Sequence, residues 1–293
     1  MVRTNFNTLQ RLLMLQGILK KLNGVVSGAE IFTSNGGFLQ DNKSLRQRSL
    51  HVGDGISLDE LENVQQAMES GSCFRPNTAQ TLALAARSKS LGTPPTKPIL
   101  NMGMPKCGST SLFTFLYCAD YSVSHYFCID QWSCASCMYA NVRSGEAPLS
   151  NCGNWDAYTQ LDSEGLHSCF FPQAELLEEI HKESPNATFV LTFRNVDNWI
   201  ESVNNWKRAD NHPPMNELFS MCFIPGKPVG KGKEPDELRH FFCTQIQRIR
   251  DFVAQHPSHA LIEIDIEDPN TGQIMADIFQ VSEKCWMKTN VNS

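Results

Sequence analysis

The chain has 293 residues, of which 41% are hydrophobic and 19% charged, and its formal net charge is −6. This length is enough for one large α/β domain, and the acidic balance argues against a duplex nucleic-acid binder, which normally carries a basic surface. No run reaches the roughly 18 apolar residues of a membrane span. Residues 12–19, followed by two lysines, resemble a weak signal or anchor segment, and a short amphipathic helix on a loose tail is the alternative.

The N-terminal third of the chain divides into two predicted regions. Residues 1–56 contain a stretch rich in Gly, Ser and Asn with little apolar periodicity, which predicts a flexible segment. Residues 57–97 predict a helical lead-in, with a capping box at the start and an Ala-rich stretch at 78–86. The Gly/Pro-rich run at 92–98 then breaks the chain, so we place the start of the main domain, residues 98–293, there.

In this main domain, apolar runs typical of buried strands alternate with amphipathic helical patterns. Such alternation is typical of parallel βαβ units. It predicts a three-layer α/β fold with a central parallel sheet, interrupted by a Cys-rich irregular insertion at residues 118–170. The predicted strands are 99–103, 188–193 and 260–266, and the predicted helices are 109–116, 172–183, 196–208, 234–255 and 271–279.

Cysteines are concentrated in this insertion and just before it. Seven of the eleven fall between positions 107 and 169, a density that predicts disulfides and an oxidising compartment. Cys134 and Cys137 form a CxxC, which could instead be half of a zinc site, and reduced cytosolic thiols are a further alternative. Asn42 and Asn186 lie in glycosylation sequons. We expect disulfides among Cys118, Cys128, Cys134, Cys137, Cys152 and Cys169.

The strongest chemical motif is Gly-Met-Pro-Lys-Cys-Gly-Ser-Thr-Ser at residues 103–111, between a predicted strand and a predicted helix. Gly103 and Gly108 permit a tight turn in which backbone N–H groups approach a ligand, and the helix N-terminus favours an anion. Lys106 adds a cation and the hydroxyl groups add donors, so the segment predicts a phosphate cradle. Its order differs from the nucleotide triphosphatase P-loop, in which Lys follows the last Gly. A plain strand-to-helix turn is the alternative.

This motif resembles the 5′-phosphosulfate-binding loop of sulfotransferases, in which Pro-Lys-x-Gly-Ser/Thr-Thr follows the first strand. A second family signature is a strand that ends in Arg, followed by a helix with Ser eight residues later, and Arg194 and Ser202 match it. The resemblance implies a P-loop-type sulfotransferase fold, the donor 3′-phosphoadenosine 5′-phosphosulfate, and a 3′-phosphate held by this pair. Arg suits that role because its planar fork binds phosphate in a bidentate way. The implied donor-site residues are Lys106, Cys107, Gly108, Ser109, Thr110, Ser111, Arg194 and Ser202.

The C-terminal segment is similar to that of Golgi-type carbohydrate sulfotransferases, in which a strand and a helix precede a Cys and a polar terminus. This similarity implies a carbohydrate or other hydroxyl or amine acceptor and residence in the Golgi lumen. It leaves Lys288 either near the 3′-phosphate or in a solvated tail. The Arg-Lys-Gly-x-x-Gly segment of cytosolic members is absent. The basic, Gly-rich run at 226–233 is either a mobile exposed loop or a cover for the nucleotide.

The family's catalytic base is a His or Glu shortly beyond the first helix. Here the equivalent position of the Glu is Val123, which leaves His125 as the candidate base. A neutral imidazole suits removal of a hydroxyl proton near neutral pH. A structural His125, the rival His167, and a carboxylate brought in by the fold are the alternatives.

The expected mechanism needs no metal, because Lys106 and the loop N–H groups would stabilise the charge that develops on the leaving phosphate. Two other function classes stay open from the sequence. One is another P-loop transferase such as a small-molecule kinase, and the other is a non-catalytic nucleotide-binding relative.

Overall fold

Nine strands and ten helices occur in the part of the chain that the computed structural model describes, residues 58–129, 132–164, 169–206, 213–227 and 229–287. The segment predicted to be flexible, 1–56, lies outside these ranges. The strands are β1 (Ile99–Asn101), β2 (Val123–Ser124), β3 (Phe127–Ile129), β4 (Trp132–Ser133), β5 (Ala157–Tyr158), β6 (Ser163–Glu164), β7 (Cys169–Phe170), β8 (Thr188–Phe193) and β9 (Ala260–Asp265). The helices are α1 (Leu58–Ser70), α2 (Thr78–Leu91), α3 (Ser109–Cys118), α4 (Cys134–Arg143), α5 (Pro172–Glu175), α6 (Leu177–Glu183), α7 (Val196–Asn205), α8 (Met215–Met221), α9 (Pro235–Gln255) and α10 (Thr271–Phe279).

Five strands form one parallel sheet in the order β2-β5-β1-β8-β9. Strand β8, which lies between β1 and β9, is buried along its whole length, which fits its continuous apolar sequence because a parallel sheet is covered on both faces. Its residues alternate between two clusters of buried side chains: Val190 belongs to one, and Phe189 and Leu191 to the other. The first cluster includes residues of α2, α3 and α10, and the second includes residues of α1, α4, α6, α7 and α9. The predicted three-layer α/β fold is confirmed.

The predicted irregular insertion contains more regular structure than its sequence indicated. Strands β2 and β5 belong to the main sheet, and helix α4 lies between them. Each of these strands is two residues long, which is too short to give a periodic pattern. The sheet therefore has five strands where the sequence predicted three.

The lead-in helices pack against elements of the main domain. Helix α1 contacts α9, and α2 contacts both α10 and β9. At the junction, the buried carboxylate of Glu263 pairs with Arg250 (Nη2 to Oε2, 2.6 Å) and accepts the backbone N–H of Asn77 at the same distance. Arg250 also donates to the backbone oxygens of Ser72 and Arg75. Nε of Arg250 donates to Oε1 of Glu263 at 2.9 Å as well, so three donors satisfy a carboxylate that burial alone would destabilise.

Five disulfides join the cysteines of the described residues, and Cys107 is a buried thiol. Two lie within the predicted cluster, whereas the other three pair a residue with a distant part of the chain. Cys134 and Cys137 each pair with a different cysteine, so the zinc interpretation of the CxxC is wrong. The disulfides indicate an oxidising compartment. The pairs are Cys73–Cys243, Cys118–Cys285, Cys128–Cys134, Cys137–Cys152 and Cys169–Cys222.

Among the described residues, no helix has both the length and the apolar character needed to cross a membrane.

Candidate active site

The carboxyl ends of the five parallel strands lie at one edge of the sheet. After β1 the chain crosses to β2 on one side of the sheet, and after β8 it moves to β9 on the other side. The point between β1 and β8 is therefore the topological switch point, where open α/β sheets bind ligands. The segments that follow these two strands are the predicted phosphate loop and Arg194. The fold thus brings the two sequence motifs to the same place.

The phosphate loop leaves β1 through a tight, glycine-dependent turn. The side-chain oxygen of Asn101 accepts the backbone N–H of Gly103 at 3.1 Å. A Cβ atom at Gly103 would lie 2.3 Å from Oγ1 of Thr192, so a larger residue does not fit without displacing β8. The loop ends at Gly108, which has a φ of 85° and is the N-cap of α3 without a side-chain capping bond. Gly108 has no side chain to cap the helix, and the N–H groups and dipole of the first turn of α3 favour an anion.

Lys106 lies in the left-handed region of backbone conformation, with a φ of 68°. This conformation is uncommon for a residue with a side chain and occurs often at ligand-binding turns. Its Nζ atom lies 5.6 Å from the centre of the Trp206 ring, within the range of a cation–π interaction. The ammonium group of Lys106 is therefore held close to the residue that follows α7.

Cys107 supports the loop from the protein interior. Its side chain has no exposed surface, and burial raises the pKa of the thiol, so the group stays protonated. Its backbone N–H donates to the oxygen of Met104 at 3.1 Å. The side chain and the amide of this residue both face the protein, which suits a shaping role within the predicted donor site.

Arg194 follows β8 directly and is oriented by Glu267, which follows β9. Its Nε donates to Oε1 of Glu267 at 3.1 Å. The same carboxylate accepts the backbone N–H of Asn195 (3.1 Å) and the side-chain amide of Asn198 (3.0 Å). Within the described residues the two Nη groups of Arg194 make no hydrogen bond. The hydrogen bond to Glu267 therefore uses Nε of the guanidinium.

Helix α7 connects the Arg194 signature to the phosphate loop. The buried indole of Trp199 donates to the backbone oxygen of Pro105 at 2.8 Å. Ser202, one turn further along the helix, is almost completely buried. The helix that carries the predicted 3′-phosphate ligand Ser202 is thus bonded to the loop predicted to hold the 5′-phosphosulfate.

His125 lies at the carboxyl end of β2, beside the first turn of α3. The hydroxyl of Thr159 donates to the backbone oxygen of Ser124 at 3.0 Å. A hydroxyl has one hydrogen, so Thr159 Oγ1 can only accept from Nδ1–H of His125, which lies 3.1 Å away. In the neutral ring the other nitrogen, Nε2, then carries a lone pair. It lies 3.4 Å from Oγ1 of Thr110, in the predicted donor site.

The surroundings of His125 favour its neutral form. Burial lowers the pKa of its imidazole below the ordinary value. The ring of Phe113, on α3, packs against it with 5.4 Å between ring centres. A group that is neutral near pH 7, with a defined lone pair, has the properties of a general base. Of the remaining predicted donor residues, Ser109 and Ser111 occupy the first turn of α3 with Thr110, and Ser111 is buried.

Some of the sequence expectations fall elsewhere. His167 and Lys288 lie outside the described residues. In the basic run at 226–233, Lys227 is buried and donates to the backbone oxygens of Cys222 (2.7 Å) and Lys231 (3.3 Å). Burial lowers the pKa of Lys227 to about 8. Lys227 is thus hydrogen-bonded inside the loop, whereas Val229 and the side chain of Lys231 are exposed.

Two residues of the site were not found from the sequence. Thr159 follows β5, a strand too short to be recognised, so its position beside His125 carried no signal. Glu267 follows a predicted strand, and its place at a carboxyl end was a usable signal. Within the ranges that the structure describes, no group of three His, Cys, Asp or Glu residues could hold a metal ion.

Comparisons with known proteins give one match. Searches of curated proteins and of solved structures found no similar chain. The sequence model of the family described as "Sulfotransferase domain" matches residues 98–269, more than half of the chain. The matched range contains the phosphate loop, His125, Arg194 and Glu267. The chain belongs to the sulfotransferase family.

Proposed function

We propose that the chain transfers a sulfuryl group from 3′-phosphoadenosine 5′-phosphosulfate to a hydroxyl group of a carbohydrate acceptor. Membership of the sulfotransferase family supports sulfuryl transfer in general. The residues at the switch point of the sheet support this donor in particular, because they offer two separate positions for phosphate groups.

The first position is the loop from Lys106 to Ser111. The N-terminus of α3, whose N-cap residue is Gly108, and the Lys106 ammonium fit the 5′-phosphosulfate. The second position is Arg194 with Ser202. The ion pair with Glu267 uses Nε of Arg194, and the fork of Nη groups fits the 3′-phosphate. A donor with phosphates at both ends of a nucleoside matches this arrangement.

The observation that carries the catalytic assignment is the hydrogen-bond chain from Ser124 through Thr159 to His125. It assigns the proton to Nδ1 and the lone pair to Nε2, beside Thr110 of the donor site. In the proposed step, Nε2 removes the proton of the acceptor hydroxyl as its oxygen bonds to sulfur. The bond between sulfur and the phosphate oxygen breaks, and adenosine 3′,5′-bisphosphate leaves with the electron pair. Lys106 and the first turn of α3 stabilise the negative charge on this leaving group.

We also propose that the active domain spans residues 98–293, with 57–97 as a helical lead-in, and that the protein resides in the Golgi lumen. The five disulfides of the described residues support a secretory compartment. An anchor at the N-terminus would lie outside the described residues.

The experiment that tests the function combines binding and transfer. The purified chain should bind adenosine 3′,5′-bisphosphate in a calorimeter, and should move radiolabelled sulfate from the donor to an oligosaccharide. Binding without transfer to any hydroxyl or amine acceptor would indicate a non-catalytic relative. Absence of both would refute the proposal.

A further inference from the structure

An exposed apolar surface lies next to the candidate base. Strands β3 and β4 form an antiparallel hairpin in which Ile129 pairs with Trp132. Phe127 lies two residues before Ile129, with a register shift between them, and Trp132 is the cross-strand neighbour of Ile129. Their side chains are 53%, 40% and 51% exposed, whereas Cys128, which points to the opposite side, is buried. We name Phe127, Ile129 and Trp132 the apolar hairpin face.

The hairpin is held in place by covalent and hydrogen bonds. The disulfide Cys128–Cys134 closes it across its inner side. The indole of Trp155 donates to the backbone oxygen of Cys128 at 3.1 Å, and the backbone N–H of Cys134 donates to the oxygen of Tyr126 at 2.7 Å. Exposed aromatic side chains on a fixed backbone offer contact area without a large cost in lost conformational freedom.

The face is continuous with the site. The backbone N–H of Phe127 donates to the oxygen of His125 at 2.7 Å, and the two residues form a β-bridge. On the other flank of His125, Phe113 packs on its ring and Tyr117 stacks on Phe113 with 5.9 Å between ring centres. Tyr117 is 68% exposed. Exposed aromatic side chains therefore lie on both sides of the candidate base: Tyr117 on one side and Phe127 on the other.

The sequence around the apolar hairpin face has few charged residues, which is unusual for a surface that binds a negatively charged acceptor. From Cys107 to Val142 the sequence contains no lysine or arginine, and its two charged residues are Asp120 and Asp130. Acceptors that carry carboxylates or sulfates are normally recognised by lysine and arginine. An uncharged sugar ring suits the aromatic surface better. Its apolar C–H face can lose its water when it stacks on the aromatic side chains.

We propose that the apolar hairpin face binds the acceptor, and that this acceptor is an uncharged sugar whose C–H face stacks on Phe127 and Trp132. The inference rests on the proposed function and adds to it the class of acceptor. It assigns the acceptor hydroxyl to the His125 end of the hairpin and the rest of the sugar to the exposed face.

The test measures steady-state transfer to two probes, the neutral disaccharide N-acetyllactosamine and an unsulfated chondroitin disaccharide, which carries a uronate. The wild type should have the higher kcat/KM for the neutral probe. Trp132→Ala should raise KM for it roughly 2- to 10-fold, the range of a lost aromatic contact, with kcat and the affinity for adenosine 3′,5′-bisphosphate little changed. Trp132→Tyr should restore most of the KM. The matched control is Leu82→Ala, because Leu82 is also 51% exposed but lies on α2.

Three results would overturn the inference while leaving the proposed function intact. One is a higher kcat/KM for the uronate probe, and another is equal KM for Trp132→Ala and Leu82→Ala. The third is loss of self-association in Trp132→Ala, measured by sedimentation, with KM unchanged, since the face would then bind a second copy. If the wild type binds no bisphosphate and sulfates neither probe, the proposed function fails and the inference fails with it.

Discussion

The hydroxyl of Thr159 determines which nitrogen of His125 carries a proton. Because Thr159 donates to Ser124, it can only accept from Nδ1–H of the imidazole. The reactive nitrogen is then Nε2, on the side of Thr110. The chemistry of the proposed base depends on a residue that touches neither donor nor acceptor in the proposed mechanism.

We expect His125→Ala to lower turnover by roughly 10²- to 10⁴-fold, the usual effect of losing a general base. The affinity for adenosine 3′,5′-bisphosphate, measured by calorimetry, should stay the same, because the proposed phosphate contacts are on other residues. Retention of more than about a tenth of wild-type turnover, a loss well below the range for a general base, would remove His125 from the mechanism.

Thr159→Val should lower kcat by roughly 2- to 10-fold, the value of one hydrogen bond, whereas Thr159→Ser should restore it. In the wild type, kcat/KM should fall with decreasing pH as His125 becomes protonated. Since burial lowers the pKa of this histidine, the fall should lie below the ordinary value of about 6.5. A midpoint above that value, or equal kcat in the valine and serine variants, would contradict the positioning role.

Arg194→Ala should weaken binding of adenosine 3′,5′-bisphosphate by roughly 1.5–3 kcal/mol, the scale of a charged hydrogen bond. Binding of inorganic sulfate at the phosphate loop should change less, because Lys106 is untouched. Arg87→Ala, which removes an exposed arginine on α2, is the control. Equal bisphosphate affinity in both variants would show that Arg194 does not contact the nucleotide.

At the scale of elements, sequence patterns predicted the long strands and the motifs whose residues are close together in sequence. Strands β8 and β9 have six residues each and gave clear apolar runs. The phosphate loop and Arg194 could be proposed as site residues because each motif is contiguous in sequence. Strands β2 and β5, with two residues each, gave no periodicity. Thr159 could not be placed beside His125 without the pairing of those two strands, since that contact depends on tertiary structure alone.

A second group of elements meets at the opposite end of the sheet, where α6, the end of α9 and the start of β9 bring three histidines together. Nδ1–H of His259 donates to the oxygen of Ala187 at 2.9 Å, so its Nε2 accepts from Nδ1–H of His181, also at 2.9 Å. The rings of His181 and His256 lie 4.3 Å apart. Burial, and to a smaller extent the neighbouring histidines, lower the pKa of His259.

This cluster should make stability depend on pH. A histidine whose pKa is lowered by folding binds protons more readily when unfolded, so its contribution is present above the unfolded value of about 6.5 and is lost as the pH falls through the folded value. We expect the free energy of unfolding in urea to decrease from pH 7.5 to pH 5.5. The decrease should be smaller in His259→Gln than in the wild type and in the control His240→Gln, whose histidine is about 24 Å along α9 from His256. An unchanged pH dependence in His259→Gln would exclude the cluster as its source.

At the scale of the whole molecule, two disulfides link parts of the chain separated by 170 and 167 residues. A crosslink stabilises in part by restricting the unfolded chain, and more so for a longer loop. Removing Cys73–Cys243 by double replacement with Ser should cost about 5 kcal/mol, against about 2 kcal/mol for Cys128–Cys134, whose separation is 6 residues. Denaturant unfolding measures both values. Equal losses would show that the loop length does not determine the stabilisation.

Metal removal tests the mechanism of the complete enzyme. In the proposed mechanism Lys106 and the first turn of α3 supply the positive charge for the leaving phosphate, so transfer should continue in excess EDTA. The comparison is made with the same preparation supplemented with Mg²⁺. Loss of transfer in EDTA and recovery with Mg²⁺ would favour a kinase-like active site.

The two disulfides with long sequence separations also determine when the native set of disulfides can be completed during synthesis of the chain. Cys73 cannot meet Cys243 until 170 more residues have left the ribosome, which takes roughly 10–30 s at ordinary elongation rates. In that interval the cysteines of the insertion emerge first and are available as wrong partners. The disulfide that joins the lead-in to α9 therefore forms only after α9 has been synthesised. Maturation in the cell depends on thiol–disulfide exchange to correct wrong disulfides that form earlier.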